Sequence, residues 1–385
     1  MIPYGHQDVN QSDLDAVLTV LRSDFLTQGD VVPRFERAVA ERVNVKNAVA
    51  ASSATAALHL ACVALNLGPG DRLWTVPNTF VASANCARYC GADVDFVDID
   101  AQTWNMDVEA LEMKLVRAAK EHCLPKIVVP VHFAGQPTDQ AKIWELSRKY
   151  GFKVLEDASH SIGASRKSEP VGSCRWSDIT VFSFHPVKII TSGEGGMALT
   201  NDDSLAKQMR LLRGHGITRD PACFERPGDG GAWKYEQQLL GYNYRMSDIH
   251  AALGANQLRR LDGYIERRNA IAQRYDEAFR NLPLQLPKVS DESRSAFHIY
   301  VVRVDLAAVS KTRKEIFDDL RAKQIGVNVH YTPVHLQPYY RTLGFREGQF
   351  PQAEAHGASA ITVPLYPTMT ERQQDLVISA MRETL

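Results

Sequence analysis

Apolar residues recur along this chain at two spacings, and the spacing in use changes with position. Leu14, Val17, Leu18 and Leu21 follow helical spacing behind a Ser12/Asp15 pair that reads as a capping box. Residues 34–43 read as a second helix and 54–66 as an apolar third, stopped by Gly68-Pro69-Gly70. Strand-like runs then cover 71–76, 93–98, 126–132, 152–156, 179–184 and 197–200. Helical runs cover 79–89, 108–122, 139–150 and 204–213. Short strands alternating with helices predict an α/β fold with a mostly parallel sheet covered on both faces.

The pattern changes near residue 245. Residues 247–281 read as one long helix or two in tandem, with Ser247 as N-cap. A strand (298–304), a helix (312–323), a strand (327–331) and a closing helix (371–384) follow. This divides the chain into a large α/β domain, 1–245, and a smaller α+β domain, 246–385. The stretch DPACFERPGDGG, 220–231, reads as a mobile surface loop.

Composition narrows the function classes. The 385 residues carry 44 Lys+Arg against 45 Asp+Glu, so no basic excess exists to neutralise a nucleic-acid backbone. No run of 18 apolar residues predicts a membrane span, and the N-terminus lacks a secretory pattern, which points to the cytoplasm. The six cysteines form no C-x-x-C pair, so they read as reduced thiols packed as small apolar residues. The twelve histidines form no H-E-x-x-H, so no metal is expected.

The segment 152–196 concentrates the chemistry. FKVLEDASHSIGA places Glu156-Asp157 at the end of a strand, where open α/β sheets hold ligands. VFSFHPVKIITSGEGG then sets Lys188 among Pro186, Val187, Ile189 and Ile190. Burial lowers a lysine pKa, and a neutral amine condenses with an aldehyde. Together the two residues supply what pyridoxal 5′-phosphate needs, a Lys for its aldehyde and an Asp for its ring nitrogen. Singly they are ambiguous: Lys188 also reads as a solvated lysine beside a glycine turn, and Asp157 as the N-cap of a following helix.

Seven motifs in order, ASSATAAL, PNTFVAS, HFAGQP, EDASHSIGA, SFHPVKIITSGEGG, RGHGI and GYNYRMSDIHAALG, resemble the DegT/StrS family of pyridoxal-phosphate-dependent nucleotide-sugar aminotransferases. The resemblance runs from the N-terminal LTQG to the late VHYTPVH. It implies the aspartate-aminotransferase fold (fold type I) and a homodimer with shared active sites. Within the family, HPVK and TSGEGG look most like the enzymes of pseudaminic acid synthesis. That implies amino transfer from glutamate to C4 of a UDP-linked 4-keto-6-deoxy-N-acetyl hexosamine, UDP-2-acetamido-2,6-dideoxy-β-L-arabino-hexos-4-ulose. Another nucleotide-linked keto sugar, a dTDP or GDP one or a 3-keto one, is the alternative. A dehydratase of the same fold would carry His in place of Lys188. A non-catalytic cofactor-binding protein would not need the intact site set.

The resemblance also assigns residues. Lys188 and Asp157 take the roles above. His160, on the first turn of the next helix, matches the residue near the ring hydroxyl, or is a helix-surface histidine. Ala54 and Thr55 open a helix whose N-terminus suits a phosphate. Ser183 matches the phosphate-contacting hydroxyl, and Asn243 the residue that reaches the phosphate from the other subunit. Phe80 matches the ring-stacking aromatic, with a core phenylalanine as the alternative. Thr27, His330 and Tyr331 match family segments near the substrate or nucleotide sugar. Arg245 reads, from its own chemistry, as a two-point binder of a carboxylate such as glutamate's or as half of a dimer-interface ion pair.

Overall fold

A computed structural model describes residues 1–226 and 231–385. Its main sheet has seven strands: β1 (Asn47–Ala51), β2 (Arg72–Thr75), β3 (Asp93–Phe96), β4 (Ile127–Val128), β5 (Lys153–Asp157), then β8 (Ile179–Ser183) and β9 (Gly196–Thr200) after a small hairpin, β6 (Ser165–Arg166) and β7 (Glu169–Pro170). The order is β1-β9-β8-β5-β4-β2-β3. Only β9 runs against the others, so the carboxyl ends of β1, β2, β5 and β8 open on one side. β5 and β8 are in register with Asp157 opposite Val181, and β8 meets β9 with Ser183 opposite Gly196.

Helices cover both faces. α1 (Gln11–Leu21), α2 (Val31–Val43), α3 (Ala54–Ala64), α4 (Ala82–Tyr89), α5 (Val108–Lys120), α6 (Gln140–Tyr150) and α7 (Asp203–Leu212) belong to this part. α3 packs with α4 and α7 over Val49, Leu73, Leu155 and Val181. α2 covers the other face with Phe182, Phe184 and Met197, joined by residues of α8 (Asp248–Leu258) and the start of α9 (Leu261–Phe279). From Ile271 onward α9 belongs to a second core. That core is built on a three-stranded sheet whose middle strand, Tyr300–Val304, pairs with Leu284–Gln285 and Ala360–Val363, backed by Arg313–Ala322 and Glu371–Thr384. The chain thus leaves one set of cores for the other inside α9.

Three local expectations are corrected. The capping box of α1 is Asn10 with Asp13, two residues before the Ser12/Asp15 pair. Asp13 is fully buried and bonds Arg260, Asn256 and Gln257, so α1 turns its polar face inward and leaves Leu14, Leu18 and Leu21 exposed. No helix follows Asp157: residues 158–163 form turns, because Asp157 and the glycine at 163 (φ +85°) bend the chain tightly. Residues 327–331 make a single bridge, Asn328 to Thr362, rather than a strand. Elsewhere the long helix resolves into two, α8 and α9, with Ser247 capping the first. Of the expected loop at 220–231, residues 227–230 lie outside the described residues, and Pro221–Cys223 form one 3-10 turn. No described helix is long and apolar enough to cross a membrane.

Candidate active site

Beyond the carboxyl ends of β1, β2, β5 and β8 lies a cavity of about 420 Å³. Each strand delivers a different group to it. β1 leads into Ser53, the N-cap of α3, whose hydroxyl accepts from Ala56 N at 3.1 Å. Ala54 and Thr55, in the first turn of α3, line the cavity, so free N–H groups and the positive end of the helix face it. A Cβ at position 196 would run into the Ser53–Ala54 peptide, so glycine there lets β9 close against this turn.

β2 leads through Pro77 to Phe80, which lines the mouth of the cavity and is 59% exposed. It is therefore a surface ring and not a core one. Ser83, the second residue of α4, donates to Asp157 Oδ2 at 2.6 Å. Ser159 donates to the other carboxylate oxygen from its hydroxyl at 2.6 Å and from its backbone N–H at 3.1 Å. Three hydrogen bonds from two serines fix the orientation of this buried carboxylate. Asp157 thus caps no helix and is aimed into the cavity.

β8 ends at Ser183, and the chain turns through FHPVK to place Lys188 in the cavity. The turn is tied down by Lys188 N–H donating to His185 O at 2.9 Å, Ser192 N–H to Phe184 O at 3.0 Å and Thr191 Oγ1 to Phe184 O at 3.1 Å. Desolvation of the Lys188 amine takes its pKa down to about 8, against the opposing pull of the Asp157 charge. A substantial neutral fraction near pH 7–8 follows, as a nucleophilic lysine requires.

His160, His298, His330 and Tyr331 close the cavity on the far side. His160 is buried, not on a helix surface. Its Nε2 lies 3.3 Å from the Tyr331 hydroxyl, and its Nδ1 is buried without a partner. Its ring is 4.4 Å from that of His298. Burial, then the charge of Lys188, holds His160 well below the ordinary histidine pKa, so it is neutral. Burial likewise takes His330 down to about 3, and its Nδ1 bonds Thr362 Oγ1 at 2.7 Å.

One chain thus brings together Ala54, Thr55, Phe80, Asp157, His160, Ser183, Lys188, His330 and Tyr331. Thr27, Asn243 and Arg245 do not line this cavity. Thr27 and Asn243 are exposed and Arg245 half-buried. The loop carrying Thr27 is pinned by the buried carboxylate of Asp248, which accepts from Gly29 N at 2.6 Å and Val32 N at 2.9 Å. Ser83, Ser159, His298, Tyr4 and Asn328 join the lining or its support without having been singled out from the sequence. Ser83 stands inside PNTFVAS, where serine three residues after a ring-stacking position was a visible signal. His298 had none.

A desolvated lysine, a triply hydrogen-bonded aspartate, a helix N-terminus and an exposed aromatic around one cavity are the groups that a pyridoxal-phosphate-dependent aminotransferase of fold type I needs. The sequence pattern of the DegT/DnrJ/EryC1/StrS aminotransferase family matches residues 7–382, and the chain belongs to that family. It is 40% identical to the spore coat polysaccharide biosynthesis protein SpsC of Bacillus subtilis, over 99% of this chain and 96% of that protein. It is 36% identical to the UDP-4-amino-4,6-dideoxy-N-acetyl-beta-L-altrosamine transaminase of Campylobacter jejuni, over 98% and 96%. Among solved structures, the PLP form of the putative sugar aminotransferase Spr1654 from Streptococcus pneumoniae superposes with a TM-score of 0.87 at 29% identity, covering 100% of this chain and 99% of that one. Helicobacter pylori PseC, an aminotransferase involved in the biosynthesis of pseudoaminic acid, gives 0.88 at 29%, covering 100% and 98%. The chain is a sugar aminotransferase that uses pyridoxal phosphate. The residues present fit that cofactor: the buried Nδ1 of His160 has no protein partner, and the N–H groups opening α3 face the same space.

Proposed function

We propose that the protein transfers an amino group from glutamate to C4 of a UDP-linked 4-keto-6-deoxy-N-acetyl hexosamine, giving a UDP-4-amino sugar of the kind used for pseudaminic acid. The observation that carries the chemistry is the desolvated Lys188 amine held in one cavity with the hydrogen-bonded Asp157 carboxylate. Pyridoxal phosphate, when bound, supplies an aldehyde for amines and a ring that accepts electrons from the carbon next to the amine.

Lys188 is the residue that holds the aldehyde. Once free, its Nζ takes the proton from glutamate Cα and, in the second half of the cycle, returns one to the sugar C4. Asp157 keeps the proton on the ring nitrogen. Ala54 and Thr55, with Ser183, would hold the cofactor's phosphate, Phe80 would cover its ring and His160 would serve its hydroxyl. His330 and Tyr331 face the sugar.

The site is completed by a second copy of the chain. Glutamate and a nucleotide diphosphate are anions, yet Lys188 is the sole Lys or Arg among the described residues lining the cavity. Leu14, Leu18, Leu21, Phe25 and Leu26 leave an exposed apolar row that runs up to Thr27, and on their own chain Thr27 and Asn243 are exposed and Arg245 is half-buried. A homodimer that buries such a row brings these residues to the partner's cavity. The sugar assignment is supported by the 36% identity to the altrosamine transaminase. The 40% identity to a polysaccharide biosynthesis protein favours a second reading, another nucleotide-linked keto sugar.

Incubation with glutamate and a panel of UDP-, dTDP- and GDP-linked 3- and 4-keto sugars decides between them. The expected product is a UDP-4-amino sugar identified by mass and NMR. Amination confined to a dTDP or GDP sugar overturns the UDP assignment, and amination at C3 overturns the regiochemistry.

A further inference from the structure

α3 is apolar along almost its whole inward surface, where Ala57, Leu58, Leu60, Ala61, Cys62 and Ala64 are buried. His59 is buried among them. Its Nε2 has no hydrogen-bond partner, so this imidazole carries a desolvation cost that leucine would not. What it gains is on its other side. His59 Nδ1 lies 3.2 Å from the hydroxyl of Tyr244, and its ring is 4.8 Å from that of Tyr242. Tyr242 and Tyr244 stack on each other at 5.0 Å and 12°.

These tyrosines flank Asn243 in an extended segment. The segment is bonded to the end of α7, with Tyr242 N–H donating to Leu212 O at 2.7 Å and Tyr244 N–H to Arg213 O at 3.0 Å. Alternation along it turns both rings to α3 and leaves Asn243 on the exposed side. Tyr244 also grips the start of α3: its carbonyl accepts from Ser52 N–H at 2.8 Å, next to the N-cap Ser53. One residue therefore holds α3 by its backbone just before the first turn and by its hydroxyl a turn and a half later.

We propose that His59 is a positioning residue. With Tyr242 and Tyr244 it clamps the Asn243 segment to α3, so that the N–H cradle at the start of α3 and the outward Asn243 are set as one rigid unit. This rests on the reading above that the α3 N-terminus holds the cofactor phosphate in its own chain and Asn243 holds it in the partner. His59 touches neither cofactor nor substrate, and acts on both cradle and Asn243 through the tyrosines.

The test separates phosphate binding from general damage. The dissociation constants of pyridoxal phosphate and of pyridoxal, which lacks the phosphate, are measured by visible absorbance on cofactor-stripped full-length protein, with dimer mass followed by light scattering. His59→Ala should weaken pyridoxal phosphate tenfold or more and pyridoxal less than twofold. Tyr244→Phe, which keeps the ring stack and loses only the hydroxyl, should show a smaller loss of the same selectivity, and it carries the test if His59→Ala does not fold. Because His59 acts through Asn243 in part, adding Asn243→Ala to the altered clamp should cost less than the product of the separate losses. Equal losses for both ligands, or no loss, overturn the clamp. A full product overturns its outer arm. A wild type that does not prefer pyridoxal phosphate to pyridoxal instead removes the cradle reading on which the clamp rests.

Discussion

Ser83 Oγ donates to Asp157 Oδ2 at 2.6 Å, so a helix that follows β2 orients a carboxylate that ends β5. Thr79 Oγ1 stands 2.8 Å from the same Ser83 oxygen. Hydrogen bonds to an ionised group are worth about 1.5–3 kcal/mol. Ser83→Ala should therefore lower kcat by about tenfold while the protein still binds pyridoxal phosphate. Asp157→Asn should lower it far more, because the ring nitrogen loses its anionic partner. Steady-state rates with cofactor content measured in parallel check both. An Asp157→Asn rate within about tenfold of wild type, about 1.4 kcal/mol in barrier, would leave the carboxylate a purely structural turn residue.

Lys188 is expected to be the residue that holds the cofactor aldehyde. Borohydride reduction of the loaded enzyme followed by peptide mapping should find the phosphopyridoxyl label there. Lys188→Ala should give a folded protein without measurable amino transfer. A label on a different lysine would defeat the assignment.

The desolvation of Lys188 also has a stability signature. Its pKa is about 8 in the folded chain, against an ordinary 10.5. Between these values the unfolded chain binds more protons, so this group's contribution to stability rises with pH through that window. Below pH 8 the folded state bears the full penalty, on the order of 3 kcal/mol. Cofactor-free Lys188→Met should thus be more stable than wild type at pH 7. The difference should shrink from pH 8 to 10.5, as read from denaturant unfolding. A gap that stays constant across that range would mean that the amine is solvated.

The alternation of short strands and helices was legible because strands such as β4 (IV), β8 (ITVFS) and β9 (GMALT) are buried throughout and largely apolar. β1 was missed: Asn47–Ala51 is mostly alanine, which carries no strand signal. Local motifs placed the α3 cap, Asp157 and Lys188 well. They misplaced the face of α1, since the leucine spacing there marks an exposed surface while the buried contact is the Asp13–Arg260 ion pair from 247 residues away. His160 was found but set on a helix that does not form, because the turn after Asp157 is closed by Ser159 and a positive-φ glycine instead. Ser83 stood three residues after Phe80 in PNTFVAS, but its bond to Asp157 spans 74 residues. His298 meets His160 only through the fold, which no spacing along the chain reveals.

Asn243 is exposed on the side of its segment away from α3 and lies outside its own chain's cavity, so its proposed role requires a partner. Two inactive variants then test the shared geometry. Lys188→Ala protein and Asn243→Ala protein are mixed under conditions in which differently tagged subunits are shown to exchange. In a mixed dimer, one site takes Lys188 from the Asn243→Ala chain and Asn243 from the Lys188→Ala chain, so both are native. The other site carries both defects. With random exchange half of the dimers are mixed and each has one good site, so activity should return to roughly a quarter of wild type. If Asn243 serves its own chain, every site keeps one defect and nothing returns. Asn243→Ala must be strongly impaired alone for the contrast to be read. Its loss should appear in the affinity for pyridoxal phosphate, since the asparagine is assigned to the phosphate and not to the reacting carbon. Proven exchange without recovery would place Asn243 outside the partner's site and make each chain's active site its own.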